Sequence, residues 1–131
     1  MKNKNILLYH YSNISLKRNE KLTPDNFGNN YFTQNDVNAC NVKRLFFYDT
    51  PKPEALLYGS RYLYTCRIQA KKLYNITEDK AGYLRRFNSL YEAVNAIKKD
   101  YSGVLYTIGG RNIINLFYAI KPDKKEDFQK C

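Results

Sequence analysis

The chain has 131 residues, with 44% hydrophobic and 26% charged, which is the size and balance of one domain. Such a chain buries enough surface to fold without disulfides or a structural metal, and its composition excludes bulk disorder, collagen, coiled coils and disulfide-rich toxins. The net charge is +10, from 22 Lys and Arg against 12 Asp and Glu, which suits nucleic acid, nucleotides or an acidic protein surface as partner.

Residues 5–11 (NILLYHY) read as a first strand, short, apolar and aromatic. Residues 12–30 are polar and turn-rich, and read as a loop. Tyr31-Phe32 read as a short strand end. Thr33-Gln34-Asn35-Asp36 has a capping residue followed three positions later by an acid, which opens a short helix to about Lys43. Leu45-Phe46-Phe47-Tyr48 is a buried strand, broken by the prolines of Thr50-Pro51-Lys52-Pro53. In residues 61–68, Tyr62, Tyr64, Cys66 and Ile68 alternate with Arg61, Leu63, Thr65 and Arg67, the two-residue period of a pleated strand. This strand is expected at the centre of the sheet. Residues 69–80 read as a connection and 81–87 as a helical turn. Ser89-Leu90-Tyr91-Glu92 is a capping box. Leu90, Ala93, Val94 and Ile97 then form one helical stripe, with Lys98 and Lys99 in the last turn to complement the helix dipole. Gly103–Tyr106 is a strand, Gly109-Gly110 a turn and Ile113–Ile120 a closing strand. The charged tail, 123–131, reads as frayed. Strands outnumber helices without alternating regularly with them. The expectation is therefore a single α+β domain over 1–131 with a largely antiparallel sheet.

No apolar run approaches the roughly 20 residues of a membrane span, and the N-terminus lacks a signal-peptide pattern. The three cysteines, Cys40, Cys66 and Cys131, form no C-x-x-C and do not cluster with His10, so no metal site is expected. Reduced thiols in a cytoplasmic setting are the expectation. The charge is spread along the chain: residues 1–66 carry 9 basic and 5 acidic residues, and residues 67–131 carry 13 and 7. Abundant Lys, Asn, Tyr and Ile also follow from AT-rich codons. Phosphate-loop, dinucleotide-binding, nucleophile-elbow and H-E-x-x-H motifs are absent. Tyrosine occurs 13 times and tryptophan never. Basic residues lie between many of the tyrosines, a composition suited to stacking bases. Yet the alternation in 61–68 puts Tyr62 and Tyr64 on the Cys66 face and Arg67 on the other, which favours tyrosines in the core.

Two segments, LLYHYS (7–12) and FGNNYFTQNDVNAC (27–40), together resemble the ADP-ribosyltransferase superfamily. Its members begin with a strand ending in His, followed by a loop and a G-x-x-[YF]-F-[TAS] strand end. YLYTCRIQAKKLYNITED (62–79) and YSGVLYTIGGRNIINLFYAIKP (101–122) are similar to later strands of small phage and bacterial members. The resemblance implies a split-sheet fold, NAD as cofactor, and transfer of ADP-ribose to a protein or nucleic acid. It implies that His10 binds ribose hydroxyls and that Tyr11 and Ser12 meet the nicotinamide amide. Gly28 would let its loop pass close to the ligand, Tyr31 would stack on nicotinamide, and Phe32 and Thr33 would complete the block.

One departure from the family stands out. Its catalytic Glu lies at the start of the last strand or in the turn before it, and residues 103–122 hold no Asp or Glu. An amide such as Asn112 or Asn115 does not stabilise a developing cation as a carboxylate does. Glu54, behind Pro53, is the candidate catalytic acid brought from elsewhere. The alternative is an inactive, basic binding or inhibitor protein of phage type that contacts nucleic acid or a nucleoprotein. Acceptor and oligomeric state are not encoded in these motifs.

Overall fold

The computed structural model describes residues 4–24, 42–51 and 60–128. The described strands are β1 (Asn5–Ser12), β2 (Leu45–Tyr48), β3 (Tyr62–Gln69), β4 (Leu73–Asn75), β5 (Gly103–Ile108), β6 (Arg111–Leu116) and β7 (Lys124–Asp127). They form one seven-stranded sheet in the order β4-β5-β6-β2-β1-β3-β7. A one-turn helix α1 (Tyr83–Arg86) and a longer helix α2 (Leu90–Asp100) lie between β4 and β5. The chain is thus a single small domain with a mixed sheet and few helices, as the α+β expectation has it at that level.

Local signals explain the clearest elements. Ser89 caps α2, its Oγ accepting the Glu92 N–H at 3.1 Å. Leu90, Ala93, Val94 and Ile97 are all buried on one helix face. Gly109 and Gly110 take φ of +58° and +77°, the doubly left-handed conformation of a two-residue hairpin turn. The β5–β6 pairing also needs Gly103, where a Cβ would stand 2.2 Å from the Asn115 carbonyl oxygen.

Four expectations are corrected. The strand over 61–68 is not central: β3 is next to the β7 edge, and β2 holds the middle of the sheet. Residues 69–80 are not only a connection, because Leu73–Asn75 pair in parallel with Gly103–Leu105. The closing strand stops at Leu116, and Ile120 forms an isolated bridge to Leu22 instead. The charged tail is not frayed throughout, since Lys124–Asp127 pair with Tyr62–Thr65. A charged strand is what an exposed sheet edge tolerates. Arg61 fastens it with a two-pronged ion pair to Asp127, at 2.9 and 3.0 Å. The expected helix ending near Lys43 falls almost entirely outside the described residues.

β1 and β2 are neighbours in the one sheet and join the β1–β3 pair to the β2–β6 pair. β1 and β3 are paired along their whole lengths, Asn5↔Gln69 through Ser12↔Tyr62. β2 and β6 are paired from Leu45↔Leu116 to Tyr48↔Ile113. Between β1 and β2, among the described residues, Tyr9 and Tyr48 are in register. The β1–β3 and β2–β6 halves of the sheet share one buried cluster. Leu8, Tyr62, Tyr64 and Cys66 of one half share a buried cluster with Leu45, Phe47, Ile114 and Leu116 of the other. A second cluster seats α2 on the outer face of β5 and β6, through Leu90, Val94 and Ile97 against Val104 and Tyr106.

Candidate functional site

Alternation along β1 decides where each residue of its C-terminal end projects. His10 and Ser12 stand opposite Tyr64 and Tyr62, on the face of Leu8 that looks into the cluster between the halves. Tyr11 projects to the opposite face, where its ring meets that of Tyr48 edge-on at 6.5 Å. The structure therefore brings His10 and Ser12 together and turns Tyr11 away from them.

His10 reaches from β1 to β2. Its Nδ1–H donates to the carbonyl oxygen of Phe46 at 2.7 Å, and its ring lies 5.3 Å from that of Phe47. A side chain thus adds a contact between β1 and β2 beside the Tyr9↔Tyr48 pair. Ser12 Oγ accepts the Ile14 N–H at 3.0 Å and starts the turn that leaves β1. Tyr64 holds that departing loop, its hydroxyl donating to Ile14 O at 2.6 Å and accepting from Leu16 N–H at 2.8 Å. Burial, offset in part by the Leu16 hydrogen bond, pushes the Tyr64 phenol above its usual range.

The end of β2 carries an acid that the spacing of the sequence does not reveal. Asp49 directly follows β2, and its Oδ2 accepts Asn112 Nδ2–H at 3.0 Å. Thr107 Oγ1 donates to Asn112 Oδ1 at 2.9 Å. The chain Thr107–Asn112–Asp49 fixes a carboxylate beside the first residues of β6, next to the turn before that strand. The signal available in the sequence is an acid immediately after the apolar run Leu45–Tyr48.

Gly28, Tyr31, Phe32, Thr33 and Glu54 lie outside the described residues. Among the described residues no three His, Cys, Asp or Glu come together as a metal site, and no helix is long and apolar enough to cross a membrane. Cys66 is buried and free, its thiol pushed up to about 12 by burial and, secondarily, by Asp123. Beneath α2's side of the sheet, the buried Arg44 donates from Nη1 to Asn115 Oδ1 at 3.1 Å and lies over the Phe46 ring. That arrangement braces β2 against β6 and exposes nothing to a ligand.

A cavity of about 560 Å³ sits away from His10, around Asn5, Arg67, Lys72 and Leu116. The chemistry expected at His10 and this cavity are therefore separate features. A scan against protein-family models and searches of curated proteins and of solved structures found no match for the chain.

Proposed function

We propose that the chain is an ADP-ribosyltransferase-like domain that binds NAD at the seam between β1 and β2. The observation that carries this reading is the imidazole of His10 reaching from β1 to Phe46 O at 2.7 Å. The ladder between β1 and β2 is short, and a dinucleotide would lie over this seam beside His10. Imidazole is a side chain that hydrogen-bonds ribose hydroxyls. In the transfer step, the bond between ribose C1′ and the nicotinamide nitrogen breaks, and its electron pair leaves with nicotinamide. The oxocarbenium-like ribose is then captured by an acceptor nucleophile, which gives up its proton. A carboxylate near the ribose stabilises that cation. Asp49, held beside the first residues of β6, takes that role in preference to Glu54.

Calorimetric titration with NAD and an assay of released nicotinamide test the reading together. The expected results are NAD binding by the wild type and at least tenfold weaker binding by His10→Ala. Asp49→Asn keeps NAD affinity and lowers nicotinamide release about a hundredfold, the pattern of a lost transition-state contact. Loss of release in Glu54→Gln, with Asp49→Asn unaffected, moves the acid to Glu54. No NAD binding at millimolar concentration ends the proposal.

A further inference from the structure

The cavity at the other end of β1 has its own chemistry. β7 pairs with β3 only as far as Thr65, so Arg67–Gln69 of β3 form an open edge. The segment 116–120, which bends away after β6, faces this edge and closes the groove. Leu116, Ile68 and Ile120 give it an apolar floor, and Asn5, Gln69 and Ser102 give it hydrogen-bonding groups. Arg67 and Lys72 line it as exposed cations. Among the described residues neither has an acidic partner at ion-pair distance. Further lysines continue the charge. Lys4 accepts the Ala70 N–H on its carbonyl beside the turn that holds Lys71 and Lys72, and Lys121 follows Ile120. One acid, Asp123, is in the lining.

An aromatic ring stands at the rim. Tyr118 is 52% exposed, yet it is held in place. Its hydroxyl donates to Lys98 O at 3.1 Å, and Lys98 Nζ sits 5.5 Å above its ring. A positioned, solvent-facing aromatic next to unpaired cations is the pairing that single-stranded nucleic acids use. The cations meet phosphates and the ring stacks on a base.

We infer that this groove is a binding site for single-stranded nucleic acid, with one base on Tyr118 and the neighbouring phosphates on Arg67 and Lys72. Its volume falls in the range of roughly 300–1,000 Å³ that small ligands occupy, so it admits one splayed nucleotide. A duplex keeps its bases stacked and paired, and offers no base to Tyr118. The inference does not rest on NAD binding at His10.

Fluorescence anisotropy with a labelled oligothymidylate of about ten nucleotides, within the span one small domain covers, provides the test. At low salt the wild type binds, and its affinity falls as salt rises because phosphate contacts release counterions. Arg67→Glu and Lys72→Glu each weaken binding at least tenfold and reduce the salt slope. Lys80→Glu, the same charge reversal on an exposed lysine in the turn beyond the far end of β4, changes it less than twofold. Tyr118→Ala weakens binding about fivefold or more, whereas Tyr118→Phe, which keeps the ring, binds like the wild type. Circular dichroism of each variant separates lost contacts from lost fold. The inference is overturned by any of three results: no binding at low salt, equal losses from Lys80→Glu and Lys72→Glu, or a duplex that binds as tightly as the single strand. A Tyr118→Phe loss equal to that of Tyr118→Ala removes the stacking role.

Discussion

Replacing Tyr64 by Phe removes one oxygen and leaves the ring in place. The ring is 1% exposed and belongs to the cluster between the two half-sheets, so its packing survives the change. Two hydrogen bonds do not survive: the hydroxyl's donation to Ile14 O and its acceptance from Leu16 N–H. A net contribution of about 0.5–1.5 kcal/mol for each bond gives about 2 kcal/mol for the pair. That is a sizeable share of the roughly 5–15 kcal/mol that holds a domain together, and it lowers the melting temperature by roughly 8 °C. The consequence is also local. Residues 13–16 leave β1 directly after His10 and Ser12, and this hydroxyl is their anchor to β3. Urea denaturation measures the global loss, and amide hydrogen exchange at Leu16 measures the local one. The expected variant shows both a lower midpoint and a Leu16 amide that exchanges faster than the amides of α2. An unchanged midpoint with an unchanged Leu16 rate refutes the anchoring role.

Other substitutions probe the rest of the fold. Val94 is fully buried between α2 and the sheet, so Val94→Asp forfeits about 2 kcal/mol of apolar burial and adds the cost of an unpaired buried carboxylate. The expected outcome is a variant largely unfolded by circular dichroism at 25 °C, and a folded, monodisperse Val94→Asp removes α2 from the core. Cys66 provides the pH dependence. Its folded thiol titrates at about 12 against an ordinary 9.0, so between those values the unfolded chain holds fewer protons than the folded one and stability falls as pH rises. The three-unit gap sets a ceiling of about 4 kcal/mol on the loss. Below pH 9 the thiol contributes no slope, and urea midpoints of Cys66→Ala measured from pH 8 to 11 should fall less steeply than those of the wild type.

What the sequence reveals depends on the range of the interaction. α2 is legible because its cap and its stripe lie within a few residues of each other, as are the two glycines of the β5–β6 turn. The strands β1, β2 and β3 announce themselves by apolar content or by alternation. Their order does not, because pairing β2 with both β1 and β6 joins residues far apart in the chain. β4 has only three residues, too few to show a period. Its strand state comes from the neighbouring β5 backbone. β7 is Lys-Lys-Glu-Asp, which has no intrinsic strand preference. It is ordered by the free edge of β3 and by Arg61. The same holds at the candidate site. His10 is visible as a polar residue closing an apolar strand, whereas Asp49 and Asn112 are 63 residues apart and meet only because β2 and β6 are paired.

The two candidate sites are far enough apart to be judged separately. His10 and Asn5 are on the same strand, five residues apart, which at about 3.3 Å per residue is roughly 17 Å. Side chains more than about 10 Å apart with no shared partner act independently. His10 contacts Phe46 and Phe47, and the groove lies around Arg67, Lys72 and Tyr118, so different residues form the two. The net charge of +10 therefore does not argue against a nucleotide at the seam between β1 and β2, and the absence of an acid from 103–122 does not argue for the groove. Each reading stands on its own geometry.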